Sequence, residues 1–294
     1  RIFKIYNFFK KKINFVFIVK YGDLSFFKKF FKGKILKIPN PKNFKTVFLY
    51  LKRNNINKIL CDINSECSFI NTAKPDFKII GIKDNTKFLK YYDTIIFPHS
   101  YIKIKKKKEQ TIYQGLKYIF FDKLFFKKKF KLKKKMSNLT VTIGGSDNLN
   151  LSKKIIDILI KKRLNIRLNL VIGPGYKKKI SRYKNKNLKI YENVSNEKFL
   201  NIRLKSDFII TSGGQTLYEN LFLNIPMICF DTNNHEKKII DDFANKKFLI
   251  KGSFDKLKQI EKFIDYKSRK NLSNNTAKLN YKLTVYKILS KLLK

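Results

Sequence analysis

The segment with the densest chemistry is Asp207-Phe208-Ile209-Ile210-Thr211-Ser212-Gly213-Gly214-Gln215-Thr216-Leu217-Tyr218-Glu219. An apolar run ends there in Ser-Gly-Gly, and a helix is expected from Thr216. Backbone NH groups and hydroxyls at such a junction point beyond the carboxyl end of a strand, where open α/β sheets bind ligands. Glu219, one helical turn on, shares a face with Thr216 and can accept hydrogen bonds from a diol such as a ribose. Thr216-x-x-Glu219 also reads as a capping box. A cap explains the Thr and the Glu but not the paired glycines before them, so a phosphate and ribose site is the favoured interpretation.

Three further junctions have the same character. Val141-Thr142-Ile143-Gly144-Gly145-Ser146-Asp147 runs from a strand into two glycines and then a helix, which suits either an anion held on backbone NH groups or a tight turn capped by Asp147. Ile172-Gly173-Pro174-Gly175-Tyr176 is strong turn punctuation, and a turn is its simpler meaning. Asp231-Thr232-Asn233-Asn234-His235-Glu236 either completes a small-molecule pocket beside the Gly-Gly loop or caps a helix.

Other chemistries find no support. The two histidines, His99 and His235, fall in different expected domains, and neither has the Cys or acid spacing of a zinc site, so no metal and no cofactor are expected. There is no Gly-x-Ser-x-Gly elbow, and neither glycine pair ends in the Gly-Lys-Ser/Thr of a nucleotide P-loop.

These junctions need strands and helices to hold them, and the chain alternates accordingly. In the first half, strands are expected at residues 14–19, 59–62, 77–82, 94–97 and 118–121, after a helix over residues 1–12. In the second, strands at 139–143, 166–172, 188–191, 208–211, 227–230 and 248–250 alternate with helices at 151–162, 196–205, 216–223, 236–246 and 254–264. Residues 269–294 read as one or two helices with an apolar stripe. The Lys-rich stretch after Phe125 suggests a boundary near residue 136. The domains expected are therefore 1–136 and 137–294, the second doubly wound and bearing the helical tail.

The chain has 294 residues, 43% hydrophobic, with 28 Phe and 15 Tyr, which suffices for large cores and excludes disorder. Its formal charge is +46, yet only seven of the 67 cations are Arg. Readers of nucleic-acid sequence rely on Arg, so no specific nucleic-acid partner is expected. Scarce Ala and abundant Lys, Asn, Ile and Phe are read first as genomic base composition. A preference for polyanions, including a weak association with anionic membrane, stays open beside it. Three cysteines (Cys61, Cys67, Cys229) are expected as free thiols, and the absence of a long apolar run or leader pattern suggests a cytoplasmic protein.

Taken in order, the strand and Gly-Gly junctions resemble the spore-coat-polysaccharide type of glycosyltransferase and its relative, the UDP-sugar hydrolase of pseudaminic acid biosynthesis. Both are related to the lipid II-forming N-acetylglucosaminyltransferase. The resemblance is carried by Ile143 to Asp147, Val171 to Tyr176, Ser206 to Glu219, Asn224-Ile225-Pro226 and Gly115 to Phe121, with Cys61-Asp62-Ile63-Asn64 and Ile82-Lys83-Asp84 at first-domain strand ends. It implies a GT-B fold, two Rossmann-like α/β domains with parallel sheets facing across a cleft, the first lacking its opening strand. It also implies a UDP-sugar ligand. Gly213, Gly214, Gln215 and Thr216 would hold the diphosphate, Glu219 the ribose, the loop at Asn193-Val194 the uracil, and Asn234 with His235 the sugar or phosphate. Gly144, Gly145, Ser146, Asp147, Gly173 and Ser212 complete the expected site. The family's Gly-x-Gly-His-x-x-Arg loop carries its catalytic His, and Arg1-Ile2-Phe3 fits the end of that motif, so the base would lie upstream of Arg1. The expected activity is hydrolysis of a UDP-amino-sugar, with transfer to an acceptor as the alternative and a non-catalytic polyanion-binding protein as a third.

Overall fold

The computed structural model describes residues 1–19, 27–28, 31–37, 44–63, 68–105, 107–176, 183, 185–279 and 284–293, and the statements below concern these. Cys67 and Asn64 lie outside them. The chain forms two compact units, Arg1–Lys123 with Tyr281–Lys294, and Leu124–Asn280.

The first unit opens with the helix Ile2–Phe9 and the strands β1 (Val16–Val19) and β2 (Lys34–Lys37), which pair in parallel. After the helix Phe44–Arg53 come β3 (Lys58–Cys61), β4 (Lys78–Ile82), β5 (Thr94–Phe97) and β6 (Thr111–Gln114), a parallel sheet in that order. β2 and β6 were not anticipated. Residues 118–121 were expected as a strand but form a 3-10 turn, Leu116–Tyr118, followed by Ile119 to Phe121, buried without strand pairing. Burial made the run apolar, and a short apolar run carries no information about which backbone form buries it. The helix Thr284–Leu292 belongs to this unit: Tyr286 stacks on Phe8, ring centroids 4.1 Å apart, and donates to the Phe121 carbonyl at 2.5 Å.

The second unit contains β7 (Asn138–Thr142), β8 (Arg167–Ile172), β9 (Leu188–Glu192), β10 (Phe208–Ser212), β11 (Met227–Phe230) and β12 (Ile250–Lys251), all parallel, in the order β12-β11-β10-β7-β8-β9. This order winds outward in both directions from the β7–β10 pair. Right-handed crossovers then place the helix after β7, Leu151–Lys161, on one face and the helix after β9, Asn196–Leu204, on the other. Leu151, Ile155, Ile156 and Leu159 recur at helical spacing and pack on Leu139, Val141, Leu168 and Leu170. Each such side chain stabilises the unit by about 1.5–3 kcal/mol relative to exposure. Asp207 pins β10 to the start of β7, accepting from Ser137 N at 2.8 Å and Asn138 N at 2.9 Å.

The division at Lys123–Leu124 lies before the Lys-rich stretch rather than after it. Arg269, on the helix Tyr266–Ala277, draws that stretch into the second unit by donating to the carbonyls of Lys133 and Lys134 at 3.0 and 2.8 Å.

Candidate functional site

In a doubly wound sheet the crevice opens where the strand order reverses, here between β7 and β10. The loops leaving these two strands are the Gly144-Gly145 and Gly213-Gly214 loops. Ser212, buried at the end of β10, links them: its Oγ lies 3.5 Å from where a Cβ on Gly144 would stand and 3.8 Å from one on Gly214. The loops after β8 and β11 flank this pair. All four junctions singled out in the sequence thus gather at one end of one sheet.

Their residues divide into ligand-facing and structural. Gly214 is the N-cap of the helix Gln215–Leu223, and no side chain caps that helix. Gln215 and Thr216 open the first turn of that helix, and an anion is favoured at a helix N-terminus. Gln215 is exposed and Thr216 half-buried. Because the helix begins at Gln215, Thr216 and Glu219 both lie inside it and do not form a capping box.

Gly213 is explained by a close approach. A Cβ there would stand 2.7 Å from Cβ of Glu236. Glu236 Oε2 accepts from Gly213 N at 3.2 Å, Thr232 N at 3.1 Å and Thr232 Oγ1 at 2.7 Å. The Gly213 NH, expected to hold a diphosphate, thus already has a carboxylate. The sequence placed Glu236 in a polar cluster that could line a pocket or cap a helix, but its bond to Gly213 was not foreseen, because a carboxylate in the first turn of the helix Asn234–Asn245 reads as ordinary capping. Asn233 is indeed the cap, accepting from Glu236 N at 2.9 Å. Asn234 is exposed and His235 half-buried at the start of the same helix. Glu236 also lies near the buried Cys229, whose thiol is pushed well up, first by burial and then by that carboxylate.

Asp147 is buried, and its two carboxylate oxygens each accept at 2.8 Å, from Leu151 N and Ser152 N. That helix N-terminus therefore has its negative charge built in. Asp147 acts as the cap, while Gly145 and Ser146 beside it stay exposed. Gly173 is structural in the same sense: a Cβ would meet Gly144 O and Gly145 Cα at 2.6 Å, and Gly175 N donates to Gly145 O at 2.8 Å. The Gly-Pro-Gly turn is there so that two loop backbones can touch. Val194, half-buried, follows Asn193, whose φ is 49°, in the loop before the Ser195-capped helix.

Glu219 is 8% exposed and Arg203 1%, and they form an ion pair. Arg203 Nη1 also donates to Asn220 Oδ1 at 3.3 Å, and the guanidinium lies over the rings of Phe199 and Phe125 at 4.3 and 5.2 Å. Burial pulls the Arg203 pKa down, with the Glu219 charge opposing. Arg203 was invisible in the sequence, because nothing in a helix pattern shows that an Arg faces inward.

A second cluster sits at the carboxyl ends of β3, β4 and β5 in the first unit. Arg1 bonds Asp62 through Nε at 3.1 Å and through Nη2, and bonds Asp84 through Nη1 at 2.5 Å. Asp84 also meets Nε2 of the buried His99 at 3.0 Å. Lys83 is fully buried, donating to the Ile63 carbonyl at 2.6 Å, and burial lowers its pKa. Tyr101 is pushed up to about 12, first by burial and then by the Asp84 charge. Among the described residues no group of His, Cys, Asp and Glu is placed to hold a metal, and no helix is long and apolar enough to cross a membrane.

No protein-family profile matches the chain. An uncharacterized protein of Methanocaldococcus jannaschii, MJ1062, is 28% identical over 246 residues, which is 70% of this chain and 50% of the relative; the chain thus matches about half that protein's length. Among solved structures, MurG of Acinetobacter baumannii is similar with a TM-score of 0.69 at 10% identity, covering 99% of this chain and 94% of that one. A glycosyltransferase from Rickettsia africae gives 0.62 at 12%, covering 99% and 92%. A putative UDP-N-acetylglucosamine 2-epimerase from Listeria monocytogenes gives 0.62 at 11%, covering 97% and 89%. Likeness at such low identity establishes the fold: the chain has the GT-B architecture of two parallel-sheet, Rossmann-like units.

Proposed function

We propose that this chain processes a nucleotide-activated sugar, hydrolysing a UDP-amino-sugar to release UDP, in the synthesis of surface polysaccharide or a nonulosonic acid of the pseudaminic type. The observation that carries this is the pairing, at the β7–β10 reversal, of two glycine loops with a helix N-terminus that no side chain caps. The diphosphate sits on the NH groups of Gln215 and Thr216 beside Gly214, while Glu219 takes the ribose. Gly213 keeps the loop closed on Glu236 instead of contacting the ligand. Gly144, Gly145, Ser146 and Ser212 line the other wall, Val194 lies toward the base, and Asn234 and His235 lie toward the sugar.

In this reaction water attacks the anomeric carbon and the bond from that carbon to the UDP oxygen breaks. UDP leaves with the electron pair, its growing charge held by helix N-terminal NH groups. The water's proton goes to a general base. In the first unit, Asp62, Asp84 and His99 stand at the carboxyl ends of that unit's own strands. Transfer to an acceptor hydroxyl is supported equally, since the nucleotide-binding half is the same for both; likeness to a glycosyltransferase and to an epimerase favours neither.

The test is UDP release from a panel of UDP-amino-sugars, with and without candidate acceptors. Release without an acceptor supports hydrolysis, release that requires one supports transfer, and no release from a full-length protein that binds UDP rejects both.

A further inference from the structure

Parallel sheets wound by helices are ordinarily apolar on both faces. The second unit departs from this over β8 and β9. One face carries Leu168, Leu170, Ile172, Leu188 and Ile190 into the core under the helix Leu151–Lys161. The opposite face presents Arg167, Asn169, Lys189 and Tyr191, with Asn169 paired to Lys189 and Val171 to Tyr191 in the strand register. The helix Asn196–Leu204 runs along that face and adds Lys198 and, just past its end, Lys205.

The result is a groove of about 460 Å³, within the size range of small-molecule sites. Four cations line it against one carboxylate, Glu197. Arg167, Lys189, Lys198 and Lys205 make no ion pair with any described residue. Lys189 and Lys198 are drawn toward the Tyr191 ring, at 5.3 and 5.9 Å from its centroid. The groove runs from Arg167 at the start of β8 to Tyr191 and Ser195, which flank the loop at Val194, whereas the glycine loops leave β7 and β10.

We propose that this groove is a second, separate binding site for a compact phosphate-bearing anion with three or more negative charges. Concavity, a polar sheet face and cations without ion pairs among the described residues coincide here, and a Lys-rich composition alone does not produce the first two. The excess of three positive charges in so small a space matches a short polyphosphate chain. Lys ammonium groups bind phosphate as point charges without demanding one orientation. Its four cations and single apolar wall at Ile202 and Tyr191 do not suit an uncharged or apolar ligand.

The probe is inorganic tripolyphosphate, titrated calorimetrically into the full chain at low salt with and without saturating UDP. Two variants carry the same change in charge: R167Q/K189Q/K198Q/K205Q in the groove, and K154Q/K161Q/K267Q/K270Q on helices elsewhere. The proposal expects saturable binding that UDP does not displace, weakened at least about tenfold by the groove variant and less than about twofold by the control. Equal losses in both variants would show that diffuse charge attracts the ion. Displacement by UDP would place tripolyphosphate at the glycine loops instead. Either result, or no saturable binding to the folded chain, overturns the proposal. Circular dichroism melting confirms that both variants fold, and UDP binding by the groove variant keeps this test separate from the proposed nucleotide site.

Discussion

Arg203 Nη2 lies 3.0 Å from Glu219 Oε2, and both side chains are withdrawn from solvent. The carboxylate proposed to take a ribose is therefore paired with a guanidinium that lies over the rings of Phe199 and Phe125. Removing one member of a buried pair leaves the other charge uncompensated, at a cost of about 3–5 kcal/mol. Glu219→Ala is expected to lose that much in urea unfolding, and Glu219→Gln, which keeps a hydrogen-bond acceptor but leaves the Arg203 charge unpaired, most of it. A double-mutant cycle with Arg203→Met measures the coupling, and near-additive losses would mean that the two groups are not engaged.

The two glycines of adjacent loops separate packing from permissiveness. Gly173→Ala forces a Cβ against the backbone of Gly144 and Gly145 and is expected to cost about 1–3 kcal/mol. Gly145→Ala meets nothing within 4 Å and is expected to leave the melting temperature nearly unchanged.

Glu236 supplies one oxygen to three donors on two loops. Glu236→Ala leaves the Gly213 NH and both Thr232 donors without this acceptor. It is expected to destabilise the chain by about 1–3 kcal/mol and to loosen the Gly213 loop, which faster amide exchange at Gly213 would report.

Asp265 caps the helix Tyr266–Ala277, accepting from Ser268 N at 3.0 Å, and its pKa is lowered first by the Ser268 hydrogen bond. A depressed carboxyl contributes stability above its unfolded pKa and loses it as pH falls through the folded value. Asp265→Ala is thus expected to cost about 1 kcal/mol at neutral pH. The difference from wild type should shrink as pH falls below the ordinary carboxylate range, near 3.8. A pH series of denaturation curves checks this.

Much of the second unit could be read from the sequence because β7, β10 and β11 are largely apolar runs, β8 and β9 alternate apolar with polar residues, and glycine, Asn or Asp follows them. All four of its chemical junctions meet at one sheet end. The first unit was less legible: β2 and β6 are short, mixed runs such as Lys34-Ile-Leu-Lys37, and the buried apolar stretch at Ile119 to Phe121 is not a strand. At the site, glycines and caps were visible but their partners were not. Arg203, Glu236 and His99 act through contacts with groups 15 to 23 residues away, and local spacing does not encode such contacts.

Calorimetry of UDP with the wild-type chain and Gly214→Ala tests the central claim most directly. A Cβ at Gly214 meets only Glu236 Oε1 at 3.6 Å and Ser212 Oγ at 3.8 Å, and the backbone there, at φ −80°, suits an alanine, so the variant should fold. The methyl group would nevertheless stand where the diphosphate approaches the helix N-terminus. The account predicts micromolar to millimolar UDP binding that Gly214→Ala weakens at least about tenfold, with the melting temperature unchanged. A folded wild-type chain that ignores UDP, or binding indifferent to Gly214→Ala, would contradict it.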